Sequence, residues 1–125
     1  MTSNLSGIIT QKTHFFQIRV FYEDTDFTGI VYHANYLKFA ERVRTNFLRL
    51  LDVNHSELIS SNEPKYFVVY KMNSKFIGTS TIDDILEVRS NFKGIEGVRL
   101  KIDQDIFKGD KKVFSANIEF ALLDK

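Results

Sequence analysis

The chain contains no cysteine and no tryptophan, and its 125 residues include one proline and six glycines. Without cysteine there is no disulfide framework, no zinc–thiolate centre and no cysteine nucleophile. Neither sign of charge is in excess. Lys and Arg total 17 against 16 Asp and Glu, for a formal net charge of +1. The cations are dispersed among acids rather than gathered into the basic patch that nucleic acid requires, which excludes a polyanion as the expected partner. No apolar run approaches the ~20 residues needed to cross a bilayer. The opening MTSNLSGIITQKTHFF has neither the basic start nor the sustained apolar stretch of a secretory signal. The expectation is a soluble, cytoplasmic protein with no membrane span and no nucleic-acid partner.

What is present is apolar and aromatic. Hydrophobic residues make up 43% of the chain, with twelve Phe and five Tyr, and aromatic residues favour strands. The length fits one domain over 1–125, with 1–13 expected as a loosely ordered tail. Residues 14–22 (HFFQIRVFY) read as a first strand. Over 32–51 the spacing becomes helical: Tyr36, Ala40, Val43, Phe47 and Leu51 recur at three- and four-residue intervals, while Lys38, Glu41, Arg42 and Arg49 take the solvated side. Asn54, Ser60, Ser61, Asn62 and Pro64 mark a loop, with Ser56 as the cap of a short helical turn. Strands follow at 66–76, 85–92, 97–108 and 113–122. The last two alternate clearly, with Val98, Leu100, Ile102 and Ile106, then Phe114, Ala116, Ile118, Phe120 and Leu122, on one face. Residues 93–97 and 108–111 read as hairpin turns, so the strands pair antiparallel. The fold class is α+β, an antiparallel sheet of about five strands wrapped around one long helix. Its open face and edges need charge or a covering subunit.

The chemistry concentrates in residues 21–36, FYEDTDFTGIVYHANY. Glu23, Asp24 and Asp26 end the first strand, Gly29 permits a sharp turn, and Tyr32, His33, Asn35 and Tyr36 open the helix. A carboxylate next to a helix N-terminus places a base or nucleophile beside unpaired backbone N–H donors, the two groups an acyl-transfer site needs. Each of these residues also has a bland reading. Asp26 alone is better explained as a turn or cap residue. Glu23 and Asp24 suit loop hydrogen bonding. His33 divides between orienting substrate and capping, and Tyr32 and Tyr36 between packing and ligand contact. The three acids as a Mg²⁺ or Ca²⁺ site lack the Gly and distal Glu of a calcium loop. His14 and His55 carry no role, and the three histidines have no metal-ligand spacing.

The run YEDTDFTGIVYHANYLKFAERVRTNFL, together with STIDDILEV at 80–88, resembles the hydroxybenzoyl-CoA thioesterase-like group of the hotdog fold, and within it the YbgC branch of Tol–Pal-associated acyl-CoA thioesterases. The resemblance extends from about residue 15 to the C-terminus. It implies hydrolysis of an acyl-CoA to free acid and CoA without a metal or other cofactor. It also implies a homo-oligomer, a dimer or a tetramer built from dimers, with sites at subunit interfaces. Asp26 matches the family's catalytic carboxylate, as nucleophile or general base. The backbone N–H of His33 matches the donor that polarises the thioester carbonyl, with Gly29, Tyr32, Asn35 and Tyr36 around the substrate. Where relatives often carry Ala-Gly-Gly or Pro-Ala-Gly after the acid, this chain has Phe27-Thr28-Gly29, so acyl preference does not carry over. Two rival readings are a non-catalytic module binding acyl-CoA or acyl-carrier protein, and a hotdog dehydratase or hydratase, whose acid–base signature is not visible.

Overall fold

The computed structural model describes residues 4–125. Residues 1–3, the start of the expected loose tail, lie outside them. The rest of that tail is built into the sheet: a 3-10 turn at Asn4–Ser6 leads into β1 (Ile8–Thr10), which pairs antiparallel with β2 (Thr13–Arg19). Tucked-in histidine explains why. His14 is fully buried, stacked on Phe47 at 5.0 Å, and its Nε2–H donates to the Ser6 carbonyl at 2.7 Å.

Helix α1 (His33–Leu50) follows, then α2 (His55–Ser60), β3 (Lys65–Phe76), β4 (Ile85–Glu96), β5 (Arg99–Lys108) and β6 (Lys111–Asp124). Among the described residues the sheet has six strands, the sixth being the unforeseen β1, in the order β1-β2-β4-β5-β6-β3, antiparallel throughout. Strand β3 does not pair with its sequence neighbour β4 but with β6 at the far edge, because β4 is already flanked by β2 and β5. Residues 77–84 therefore cross from one edge of the sheet to its interior, and that connector later frames the site.

Two local expectations shift. The 93–97 segment is strand rather than turn: β4 runs to Glu96 with a bulge at Gly94, and the reversal is made by Gly97 and Val98, Gly97 at φ +65°. The short helix begins at His55, so Asn54 rather than Ser56 is its cap residue.

The core lies where α1 presses on the concave face. Tyr36, Phe39, Ala40, Val43 and Phe47 meet Leu86, Val88, Ile102, Ile106, Phe114, Ala116, Ile118 and Phe120. This face follows the 3.6 and 2.0 residue periods of helix and strand. Three polar residues, Arg44, Ser90 and Gln104, share it against the pattern. Gln104 donates to the Ala40 carbonyl at 3.0 Å and the Ser90 hydroxyl at 3.1 Å, and accepts from Arg44 Nη1 at 2.9 Å. The opposite face carries charge, including Lys101–Glu96 at 2.9 Å and Lys112–Asp105 at 3.6 Å. Among the described residues no helix is long and apolar enough to cross a membrane.

Burial holds the His14 pKa below its ordinary value of 6.5, only partly opposed by the bond to Ser6. The unfolded chain therefore takes up a proton on His14 before the folded one does. Stability is full above that value and declines as pH falls through it toward the folded pKa. His14→Gln, which cannot protonate, is expected to flatten the fall in melting temperature between about pH 7.5 and pH 5. An unchanged slope would locate the titration elsewhere.

Candidate active site

Strand β2 ends at Arg19, and the chain enters a loop that is almost entirely self-bonded. Tyr22–Asp24 form a 3-10 turn, and the Asp24 carboxylate accepts from the Phe21 N–H at 2.8 Å. The Asp26 N–H donates to Ile30 O at 2.9 Å, and Gly29 N–H to Asp26 O at 3.0 Å. Gly29 sits at φ +87° with open space where a Cβ would be, so glycine is needed for the backbone conformation and not for room.

The loop is held to the start of α1 by three ties. Thr25 bridges Val31. The Tyr32 N–H donates to Asp24 O at 3.0 Å, and Asn35 Nδ2 donates to the same carbonyl at 2.7 Å. The connector closes the other side: the Val31 N–H donates to Ser80 O at 2.8 Å, and Ile30 bridges Thr81. Asp84 steadies the connector by accepting from the Thr81 N–H at 2.8 Å and pairing with Lys108 at 3.0 Å.

Asp26 Oδ1 accepts from both the hydroxyl and the N–H of Thr28, the latter at 2.8 Å. Those bonds hold its carboxyl below the ordinary carboxylate pKa, against a small opposing effect of burial. The group is thus ionised at neutral pH, the form required of a nucleophile or a general base. Helix α1 has no side-chain cap at Tyr32. Its first N–H groups, at His33 and Ala34, have no carbonyl one turn earlier within the helix to bond, while Asn35 reaches Tyr32 O at 2.8 Å. An anionic carboxylate loop and an uncapped helix N-terminus are therefore joined in one frame.

The site residues expected from sequence divide into three groups. Asp26, Gly29 and His33 lie on this frame, and Tyr32 is half-exposed beside it, with its ring 4.6 Å from that of His33. Asn35 spends its amide on the loop carbonyl, which makes it a tie within the protein. Tyr36, for which the sequence leaves both packing and ligand contact open, is packed: only 3% exposed, it stacks on Phe114 at 5.6 Å and its hydroxyl meets Ser80 Oγ at 2.9 Å. Three residues past His33 it turns inward with the core face of α1. Glu23, Asp24 and Asp26 do not converge, since Asp24 and Asp26 are committed to different backbone donors, and no metal-holding cluster occurs among the described residues. His55 bonds Thr45 at 3.3 Å, far along α1. Sequence reasoning missed Thr28 and Ser80. The first had a visible signal, a hydroxyl two residues after an Asp, which is a local side-chain turn pattern. Ser80 had none, because its partner is 44 residues away.

The architecture defines a class before any comparison. An antiparallel sheet wrapped on one long helix is the hotdog arrangement, the fold of thioester hydrolases among other classes. The model of the Thioesterase superfamily matches residues 28–115, and the chain belongs to that superfamily, in its YbgC branch. The acyl-CoA thioesterase YbgC of Haemophilus influenzae is 33% identical over 109 residues, covering 87% of this chain and 79% of its own. The acyl-CoA thioester hydrolase YbgC of Escherichia coli O6:H1 is 36% identical over 98 residues, covering 78% and 72%. The crystal structure of a probable thioesterase from Bartonella henselae superposes with a TM-score of 0.87 at 38% identity, covering 90% and 93%.

Thr28→Val removes one of the two donors to Asp26 Oδ1 and is expected to raise the Asp26 pKa toward its ordinary 3.8. A carboxyl-carbon NMR titration reads this directly. An unmoved midpoint would deny the hydroxyl its part in holding the carboxylate.

Proposed function

We propose that the chain is a single-domain acyl-CoA thioesterase in which Asp26 and the N-terminal amides of α1 act on the two ends of one reaction. The observation that carries this is the frame just described: a carboxylate kept ionised by Thr28, tied through Asp24 and Asn35 to an uncapped helix start. A thioester carbonyl becomes an oxyanion as it is attacked. Fixed N–H donors stabilise that charge with little reorganisation, each worth ~3–4 kcal/mol in comparable sites. The His33 N–H is the first such donor. Asp26 attacks the carbonyl carbon to give an anhydride that water then opens, or takes a proton from the attacking water. Both routes expel CoA thiolate, a good leaving group that calls for no metal or other cofactor. His33 and Tyr32 present their rings beside the reaction centre, and Phe27, fully exposed next to Asp26, is the bulk that bears on acyl choice.

The working unit in this proposal is a homodimer. Strand β3 is a twelve-residue sheet edge whose Val68, Val69 and Tyr70 are exposed, and a long apolar edge invites pairing. Its last residue, Phe76, lies edge-on to the His33 ring at 5.4 Å. A copy paired along β3 therefore comes up against the site.

Asp26→Asn is expected to lower kcat on acyl-CoA about 100-fold or more while leaving the circular dichroism spectrum unchanged. Full activity in that variant would remove Asp26 from the mechanism, and tight acyl-CoA binding with no thiol release by the wild type would identify a binding module instead. Light scattering is expected to give at least twice the chain mass of 14.6 kDa, with Val69→Lys shifting the protein toward monomer and lower activity. A wild-type monomer with full activity would contradict the dimer.

A further inference from the structure

The far end of α1 holds a feature that hydrolysis at Asp26 does not use. An apolar cavity of about 680 Å³ opens between the C-terminal half of α1, the start of β3 and the β4–β5 turn. Its size falls in the range of small-molecule sites, roughly 300–1,000 Å³. Phe47, Leu51, Phe92, Val98 and Leu100 supply apolar walls; the charged lining residues are Arg44, which is buried, and the more exposed pair Lys65–Asp124, which satisfy each other at 2.8 Å. Leu51, Phe92 and Val98 are left substantially exposed around it, Val98 at 60%.

Arg44 is anomalous. It is 7% exposed and yet, among the described residues, it forms no ion pair. Nη1 donates to Gln104 Oε1 at 2.9 Å, one bond from a group with five donor hydrogens. Glu41, one turn earlier, only partly offsets the burial that disfavours the charge. The one sealed side-chain polar atom without a partner among the described residues is His14 Nδ1. The remaining guanidinium nitrogens are therefore not fully sealed. Arg44 lines this cavity and a small crevice of about 70 Å³ that shares Leu48, Phe67 and Phe120 with it. Gln104 is itself held by Ala40 O and Ser90, so the arginine is presented on a fixed support.

A buried cation that no acid contacts directly is costly; Glu41 acts on Arg44 only at a distance, and a carboxylate matches the guanidinium fork. We propose that this cavity binds an amphipathic monocarboxylate, its carboxylate on Arg44 and its hydrocarbon chain along Phe47, Phe92, Val98 and Leu100. The site is separate from Asp26. Arg44 stands eleven residues along α1 from His33, ~16 Å of rise, and the space is filled by the packed side chains of Phe39, Ala40, Val43, Phe114 and Ile118. The inference does not depend on the thioester reading, although the acid released by acyl-CoA hydrolysis belongs to this chemical class.

Calorimetric titration of the full chain with decanoate, decanol and decyltrimethylammonium tests it. The expected result is one decanoate per chain, with decanol and the cation at least tenfold weaker. Asp26→Asn is expected to bind decanoate as the wild type does, which separates the site from the hydrolytic loop. Arg44→Met is expected to weaken decanoate at least tenfold while leaving decanol unchanged, a split that a merely structural arginine would not produce. Val98→Asp, at an exposed position on the rim, is expected to weaken decanoate at least tenfold without moving the melting temperature, and decides the matter should Arg44→Met not fold. No decanoate binding by the wild type, equal affinity for decanol and decanoate, or wild-type decanoate affinity in Val98→Asp would overturn the proposal. So would dissociation of an oligomer by Arg44→Met with decanoate binding intact, since the counter-charge would then come from a second copy.

Discussion

The contact between Ser80 and the start of α1 is the constraint on which the site depends. Ser80 is almost fully buried; its carbonyl takes the Val31 N–H at 2.8 Å and its hydroxyl meets that of Tyr36 at 2.9 Å. One residue of the crossing connector thus fixes both the exit of the acidic loop and the first turn of the helix. Burial raises the Tyr36 pKa, opposed in part by the Ser80 bond, so the phenol stays protonated and the contact persists at any working pH. Removing either hydroxyl would strand the other in the core, and buried polar groups are expensive to leave unpaired.

The two ends of α1 solve opposite electrostatic problems. At the N-terminus, Asp26 lies near the surface and owes its low pKa mainly to hydrogen bonds rather than to a neighbouring cation. A carboxylate held in this way is ionised and oriented, while the positive end of the helix dipole stands ready for an oxyanion. Eleven residues on, Arg44 is a cation in an apolar setting with an amide in place of an acid. The first arrangement is complete without a bound group, whereas the second has charge to spare.

Much of the architecture was legible because burial imposes a period. The stripe Tyr36, Ala40, Val43 and Phe47 located α1, and the alternation from Phe114 to Phe120 located β6, each within two residues of its bounds. The motif itself located the loop, while the Thioesterase superfamily match runs over 28–115 and so begins two residues past Asp26. Periodicity failed where a residue's surroundings are set by distant chain. Leu51 continues the helical stripe yet stands exposed past the helix end, while Arg44 and Gln104, polar in type, are buried on the core faces. The N-terminal tail reads as weakly structured by composition, but His14 draws Ser6 inward and a strand forms beside it.

The sequence by itself determined an α+β fold around one long helix, the ordered run of acid, glycine and helix start, and the family to which they belong, because these rest on local periods and short spacings. Tertiary structure alone decided that β3 pairs with β6, that Ser80 clasps Tyr36, and that Arg44 lies buried on Gln104 with no ion pair among the described residues. Pairings across 44 to 60 residues depend on how the whole sheet closes on the helix, and no local pattern records that.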